Sequence, residues 1–229
     1  MTLARAESVA GVRIPDTALC NAAVDLLESC SPAFLCSHCL RTYIFGSLAV
    51  KGIGRSVVDE EAAFCGAVYF GAMIAAYRKL KYDKEVYFSA AILHDIGLTE
   101  SRISPLTQCC FAVSGGHQAH NFLLSKDHPA AKAQIVGDGI SAHLNLHLPV
   151  RKYGEVASLV AKGAVCDLFG FEKRKLPEKF KSDLLRTYPT GDLQAALLSK
   201  EELAPGSRLD FGRKLSGGLP ERIWIHDIN

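Results

Sequence analysis

The chain has 229 residues, with 26 basic and 24 acidic side chains and a formal charge of +2. A balance this even gives no general electrostatic attraction to nucleic acid or to an anionic membrane, so we expect neither as a partner. Apolar residues make up 48% and charged residues 22% of the chain, which is ordinary for a soluble globular protein, and we expect one domain. Composition leaves the formation of a homo-oligomer open.

The amino terminus and the cysteines indicate a cytoplasmic protein. The opening residues, MTLARAESVAGVRIPD, lack the continuous apolar stretch of a secretory signal. Other apolar stretches are too short and too interrupted to span a bilayer. In this compartment the 8 cysteines are expected to be reduced thiols. Cys36 and Cys39 form a CxxC without a second CxxC at zinc-ribbon spacing, so we interpret most cysteines as buried small side chains.

The first half of the chain shows helical periodicity. Ser31 and Pro32 are suited to begin a helix, because serine is a good N-cap and proline fits a first turn. The segment 59–80 has acids at its start and bases at its end, which matches the helix dipole. Asp83 is expected to cap the next helix, and Gly97 to end it.

Helical patterns continue in the second half. Asp127 is expected to cap a helix with Pro129 in its first turn. Residues 154–170 predict another apolar helix, which ends near Asp167, and a charged segment at 172–189 predicts a short outer helix. The remaining tail is rich in Gly and Pro, and strand-like alternation is scarce. The predicted fold class is therefore all-α, with about eight to ten helices.

His94 and Asp95 end an apolar run, AAILHDIGLTE, and this position sets them apart from other polar pairs. A buried carboxylate needs a cation or strong hydrogen bonds, and together the two side chains offer a nitrogen and an oxygen to a metal. His38 and Asp167 are also polar residues within apolar helices. Alone, His38 would be interpreted as a core histidine bonded to a backbone carbonyl, and Asp167 as a helix-end cap. Together, the four residues predict a divalent metal site.

The order His38, His94-Asp95, Asp167 resembles that of the HD superfamily of metal-dependent hydrolases. The resemblance implies a single-domain helical bundle in which these four side chains hold the metal. It covers residues from about 30 to about 170. We therefore expect an N-terminal segment and first helix over 1–30, an HD-type core over 31–170, and a C-terminal extension packed on the core over 171–229.

Within that superfamily, local motifs are most similar to the cyanamide hydratase-like proteins. They are SHCLRTYIFG, AAILHDIGLTE, CCFAVSGGHQAHNFL and ISAHLNLHLP. The resemblance implies hydration of cyanamide or a related small nitrile by water on one divalent metal, with zinc the expected ion and iron or manganese also suited to the ligands. It implies that Asp95 aims the water and that His143 orients substrate or carries a proton. Arg41, Thr99 and His143 are expected to contact substrate. The alternative for Arg41 is a structural ion pair with Glu60, Glu61 or Asp95.

Ala112 departs from this pattern, because the family usually carries Glu there and dinuclear relatives carry His. Alanine ligates nothing, so we expect a mononuclear site. Three alternatives remain open. A phosphohydrolase would turn Arg41 or Arg102 toward the metal, and a dinuclear iron oxygenase would add His117 or His120 together with His143. A degenerate domain serving as a binding module would hold no metal.

Overall fold

The computed structural model describes residues 7–9, 11–51, 81–99, 110–144, 150–169 and 176–193. Within them the elements follow in this order: β1 Ser8–Val9, β2 Val12–Arg13, α1 Ala18–Cys30, α2 Ala33–Lys51, α3 Lys84–Leu93, the 3-10 helix Ile96–Leu98, α4 Phe111–Ser125, α5 Ala130–Ala142, α6 Val150–Phe169 and α7 Glu178–Thr187. The all-α prediction is confirmed, with seven α-helices in this part of the chain. The helix predicted over 59–80, Arg102 and the tail from 194 lie outside the described residues.

A small hairpin precedes the helices and was not predicted. Strands β1 and β2 pair in antiparallel register, with Val9 opposite Val12, and Gly11 takes a φ of 76° in the turn between them. Each strand has only two residues, too few for alternation to be recognised in the sequence. The hydroxyl of Tyr43 on α2 donates to the carbonyl of Arg13, which ties the hairpin to the helical core.

The structure confirms one of the predicted helix caps and corrects another. Asp83 caps α3 as predicted, since its side chain accepts from the backbone N–H groups of Glu85 and Val86. Thr17 caps α1 in the same way, through Cys20 N. The prediction for Asp127 was wrong. Its φ of 57° places it in the turn before α5, and the residue at the cap position is Pro129, which has no side-chain acceptor.

Helix α3 lies at the centre of the core. From Val86 to Leu93 all of its residues are buried, and it packs against α1, α2, α5 and α6. A helix that is buried on every side needs apolar residues all round, and the sequence VYFSAAIL provides them. Polar residues at its end are therefore carried into the interior along with it.

The 3-10 helix after α3 lies against the start of α4 at a very short separation. A Cβ at Gly97 would fall well inside contact distance of the Phe111 carbonyl oxygen, so only glycine fits there. Gly97 does not end α3 as a C-cap glycine would, because α3 stops at Leu93 and the glycine serves this close approach.

The predicted outer helix is α7, whose exposed face is charged. Leu184 and Tyr188 turn inward and join the hydrophobic core. The six cysteines within the described ranges are free thiols, and five of them are buried, as expected for small packing side chains. In the same part of the chain, no helix has the length and apolarity needed to cross a membrane.

Candidate metal centre

Four helices bring the predicted site residues together. Helix α2 carries His38 and Arg41, and α6 carries Asp167 near its C-terminal end. His94 is the C-cap residue of α3, and Asp95 follows it with φ −106° and ψ 11°, outside the helical conformation. His143 is the C-cap residue of α5. All of these side chains are buried.

Each of the three interior histidines has its Nδ1 atom held by an acceptor. Nδ1 of His94 lies 2.7 Å from the carbonyl oxygen of Ala91, and Nδ1 of His143 lies 2.6 Å from that of Ile140. Nδ1 of His38 lies 2.7 Å from Oδ2 of Asp167. Carbonyl and carboxylate oxygens only accept, so Nδ1 carries the hydrogen in each ring. In the neutral imidazole, Nε2 then bears the lone pair.

The Nε2 atoms of all three rings face the carboxylate of Asp95. Those of His38 and His94 lie 3.4 Å and 3.3 Å from Oδ2, and that of His143 lies 3.7 Å from Oδ1. The Nε2 atoms of His38 and His94 are buried and have no hydrogen-bond partner among the described residues. Lone pairs that face a carboxylate in the interior repel it unless a cation lies between them.

His38, His94 and Asp95 form a buried group that could hold a metal ion, since one ligand atom from each lies within 4.8 Å of the others. Two imidazoles and a carboxylate form a ligand set that binds zinc, iron or manganese. Two buried Nε2 atoms without hydrogen-bond partners in the described ranges, beside a carboxylate, are better explained as metal ligands than as core histidines bonded to backbone carbonyls. Among the described residues this is the one group of its kind.

Burial keeps the imidazole rings of His94 and His143 neutral. Desolvation, with the neighbouring His38 acting in the same direction, lowers the pKa of His94 to about 3. Desolvation also lowers the pKa of His143 to about 4, with the nearby His94 acting in the same direction. Neutral imidazole is the form that binds a metal, so neither ring must lose a proton at neutral pH before binding.

Asp167 takes a position different from that of the four-ligand prediction. Its Oδ2 atom faces Nδ1 of His38, on the side of the ring opposite to Asp95. Both oxygens also accept from Arg41, through Nε and Nη2, at 2.8 Å each. The structure thus brings three of the four predicted ligands together and places Asp167 behind His38, where it orients the ring.

Arg41 corrects a second expectation. It was predicted to bind substrate or to pair with Glu60, Glu61 or Asp95, but its ion pair is with Asp167. Its Nη1 atom donates to the carbonyls of Tyr188 and Pro189, just after α7. The guanidinium is fully buried, and four hydrogen bonds hold it to protein groups. Glu60 and Glu61 lie outside the described residues.

The remaining predicted residues are more peripheral. The Thr99 hydroxyl donates to the carbonyl of Ile96 and so closes the 3-10 turn, and its predicted contact with substrate stays a prediction. His117 is exposed. Nδ1 of His120 lies 3.3 Å from Oδ1 of its neighbour Asn121. Ala112 is fully buried on α4.

Sequence reasoning missed the acceptors that orient the rings, yet a signal for two of them exists. His94 and His143 each follow the last residue of a helix, where the final backbone carbonyls have no N–H partner within the helix. The Nδ1–H of His94 bonds to the carbonyl of Ala91, three residues earlier. That of His143 bonds to the carbonyl of Ile140, which also accepts from the backbone N–H of His143. The carbonyls of Tyr188 and Pro189 that hold Arg41 leave no such trace in the sequence.

No family model matches the chain, and a search of curated proteins finds no similar entry either. The resemblance to HD-domain proteins therefore depends on the short motifs alone, and the chemistry of the centre has to be argued from its own residues.

Proposed function

We propose that this chain is a metal-dependent hydratase that adds water to the carbon of cyanamide or a related small nitrile, giving urea or an amide. The observation that carries the proposal is the convergence of three Nε2 lone pairs on the buried Asp95 carboxylate. The resemblance of the local motifs supplies the nitrile as the expected substrate.

The metal would be held by His38, His94 and Asp95, with zinc the first choice and iron or manganese as alternatives. When bound, such an ion lowers the pKa of a coordinated water toward neutrality and so supplies a nucleophile. The two orphaned nitrogens are complementary to a cation, and Arg41 already balances the charge of Asp167. The charge of Asp95 is then left to be balanced by the ion.

The two carboxylate oxygens of Asp95 have different neighbours and are proposed to have different roles. Oδ2 faces the two ligand histidines, and Oδ1 faces Nε2 of His143 at 3.7 Å. In this proposal Oδ1 accepts a hydrogen bond from the attacking water and aims it. Nε2 of His143 accepts the proton that the water loses, and Oδ1 stabilises the resulting imidazolium. The same proton then passes to the nitrile nitrogen, which gives an isourea or imidic acid. Transfer of its hydroxyl proton to that nitrogen then gives urea or the amide, so hydration is balanced in atoms and charge.

The contacts of Arg41 support a neutral substrate over a phosphate ester. A phosphohydrolase of this layout would aim the guanidinium at the metal, whereas here it is held by Asp167 and two backbone carbonyls. The dinuclear alternative receives no support from His117, which is exposed, or from His120, which faces Asn121.

Purified protein tests the proposal directly. We expect one zinc per chain by elemental analysis, and urea production from cyanamide that is lost on chelation and restored by zinc. His143→Gln should retain the metal and lower kcat by about 100-fold or more, because it removes the proton acceptor. His120→Gln is the matched control and should leave kcat unchanged. Hydrolysis of a nucleotide or of p-nitrophenyl phosphate without cyanamide hydration would contradict the proposal, as would two irons per chain.

A further inference from the structure

A chain of contacts runs from the segment at Tyr188–Pro189 to the group formed by His38, His94 and Asp95. The carbonyls of Tyr188 and Pro189 accept from Nη1 of Arg41 at 3.0 Å and 2.7 Å. Arg41 holds both oxygens of Asp167, and Asp167 accepts from Nδ1 of His38. Nε2 of His38 is then directed at Asp95. The side chains of Arg41, Asp167, His38 and Asp95 are all buried.

The proton on Nδ1 of His38 is held by a side chain from a distant part of the sequence. Unlike His94 and His143, whose Nδ1–H groups bond to carbonyls of their own helices, His38 depends on a partner 129 positions away. A carboxylate can be rotated, whereas a helix carbonyl is fixed. The tautomer of His38 is thus only as well defined as the placement of the Asp167 oxygens, and Arg41 grips both of them in a planar fork.

We propose that Arg41 is a positioning residue that makes the metal group depend on the docking of the segment at Tyr188–Pro189. When that segment is seated, its two carbonyls and the two Asp167 oxygens fix the guanidinium, and His38 presents Nε2 to the metal. When the segment is displaced, Arg41 loses two of its four acceptors, and the carboxylate behind His38 is held less firmly. This inference rests on the proposed metal centre, but not on the identity of the substrate.

Two variants loosen the chain of contacts at different points. Arg41→Lys keeps the charge beside Asp167, but a single ammonium cannot span two carboxylate oxygens and two carbonyls. Leu184→Ala leaves Arg41 intact and weakens the seating of α7, because Leu184 is the buried anchor of that helix. Leu27→Ala is the matched control, since it removes an equally buried leucine from α1, which takes no part in these hydrogen bonds.

The measurements are the His38 tautomer in the metal-free protein, by ¹⁵N NMR of the imidazole, and Co²⁺ affinity by titration. We expect wild type to show Nδ1–H and a bare Nε2. Arg41→Lys and Leu184→Ala should show a mixed tautomer and a Co²⁺ affinity about 10- to 100-fold lower, as for other outer partners of metal ligands. Leu27→Ala should match wild type in both.

The inference is overturned if Arg41→Lys and Leu184→Ala keep the wild-type tautomer and affinity. It is also overturned if Leu27→Ala loses as much affinity as they do, since general destabilisation would then be the cause. A wild-type protein that binds Co²⁺, shows the expected tautomer and yet leaves cyanamide unchanged would end the proposed function alone.

Discussion

The interior histidines and the histidines of α4 differ in what surrounds them rather than in their spacing along the chain. His94 and His143 sit at helix ends, where carbonyls three residues earlier fix Nδ1 and turn Nε2 to Asp95. His117 and His120 share a helix face, as a pair of ligands would, but His117 is exposed and Nδ1 of His120 lies beside Oδ1 of its neighbour Asn121. Burial and a fixed tautomer distinguish the interior histidines from the histidines of α4.

The largest expected effect comes from removing an interior ring. His94→Ala should abolish stoichiometric metal binding, with an affinity loss greater than the roughly 100-fold seen for outer partners, because it deletes a direct ligand. Calorimetric titration with zinc, together with elemental analysis, measures this. Retention of one tightly bound zinc by His94→Ala would mean that the metal lies elsewhere.

Asp167→Asn should have the next largest effect. It leaves Arg41 buried without its charge partner, so the free energy of unfolding should fall by about 3–5 kcal/mol in urea denaturation. Metal affinity should fall by only about 10- to 100-fold, since the carboxylate orients His38 from behind. A loss as complete as that of His94→Ala would instead restore Asp167 as a direct ligand, as the sequence predicted.

Gly97→Ala probes the turn that carries Asp95. Its Cβ would overlap the Phe111 carbonyl, and relieving this overlap should lower the free energy of unfolding by about 1–3 kcal/mol. Gly115→Ala is a matched control across the same contact, because its Cβ would lie 3.2 Å from Gly97 N, where a small shift suffices. Thermal denaturation of both variants checks the order, and equal stabilities would contradict it.

The smallest effect is expected for the surface pair. His117→Ala combined with His120→Gln should change the free energy of unfolding by less than about 0.5 kcal/mol and leave metal affinity unchanged. Parallel denaturation and zinc titration test this. The loss of a second metal ion in this variant would revive the dinuclear interpretation.

Much of the fold and part of the centre follow from local patterns. Asp83 was predicted as a cap from residue type and position alone, because a cap needs only its own side chain and the next N–H groups. The burial of His94 and Asp95 followed from the apolar run before them. Both are properties of a short segment, which is why the sequence could predict them.

What the sequence did not predict depends on contacts between distant segments. Whether Asp167 faces the metal or Nδ1 of His38 is decided by how α2 and α6 approach each other and by the guanidinium of Arg41. Asp127 failed as a cap for a more local reason, since its positive φ belongs to the turn before α5. Side-chain orientation across a helix interface has no counterpart in the spacing of residue types.

The end of α3 at Leu93 explains how two consecutive residues can serve one centre. Successive side chains on an unbroken α-helix point about 100° apart, so a neighbouring pair would normally diverge. Here the backbone leaves the helical conformation at Asp95, and the carboxylate swings round to face the ring of the preceding residue. A His-Asp pair in the middle of a helix would keep both residues but would not direct them at one point. The end of the helix at the pair is therefore as much a part of the motif as the two residues.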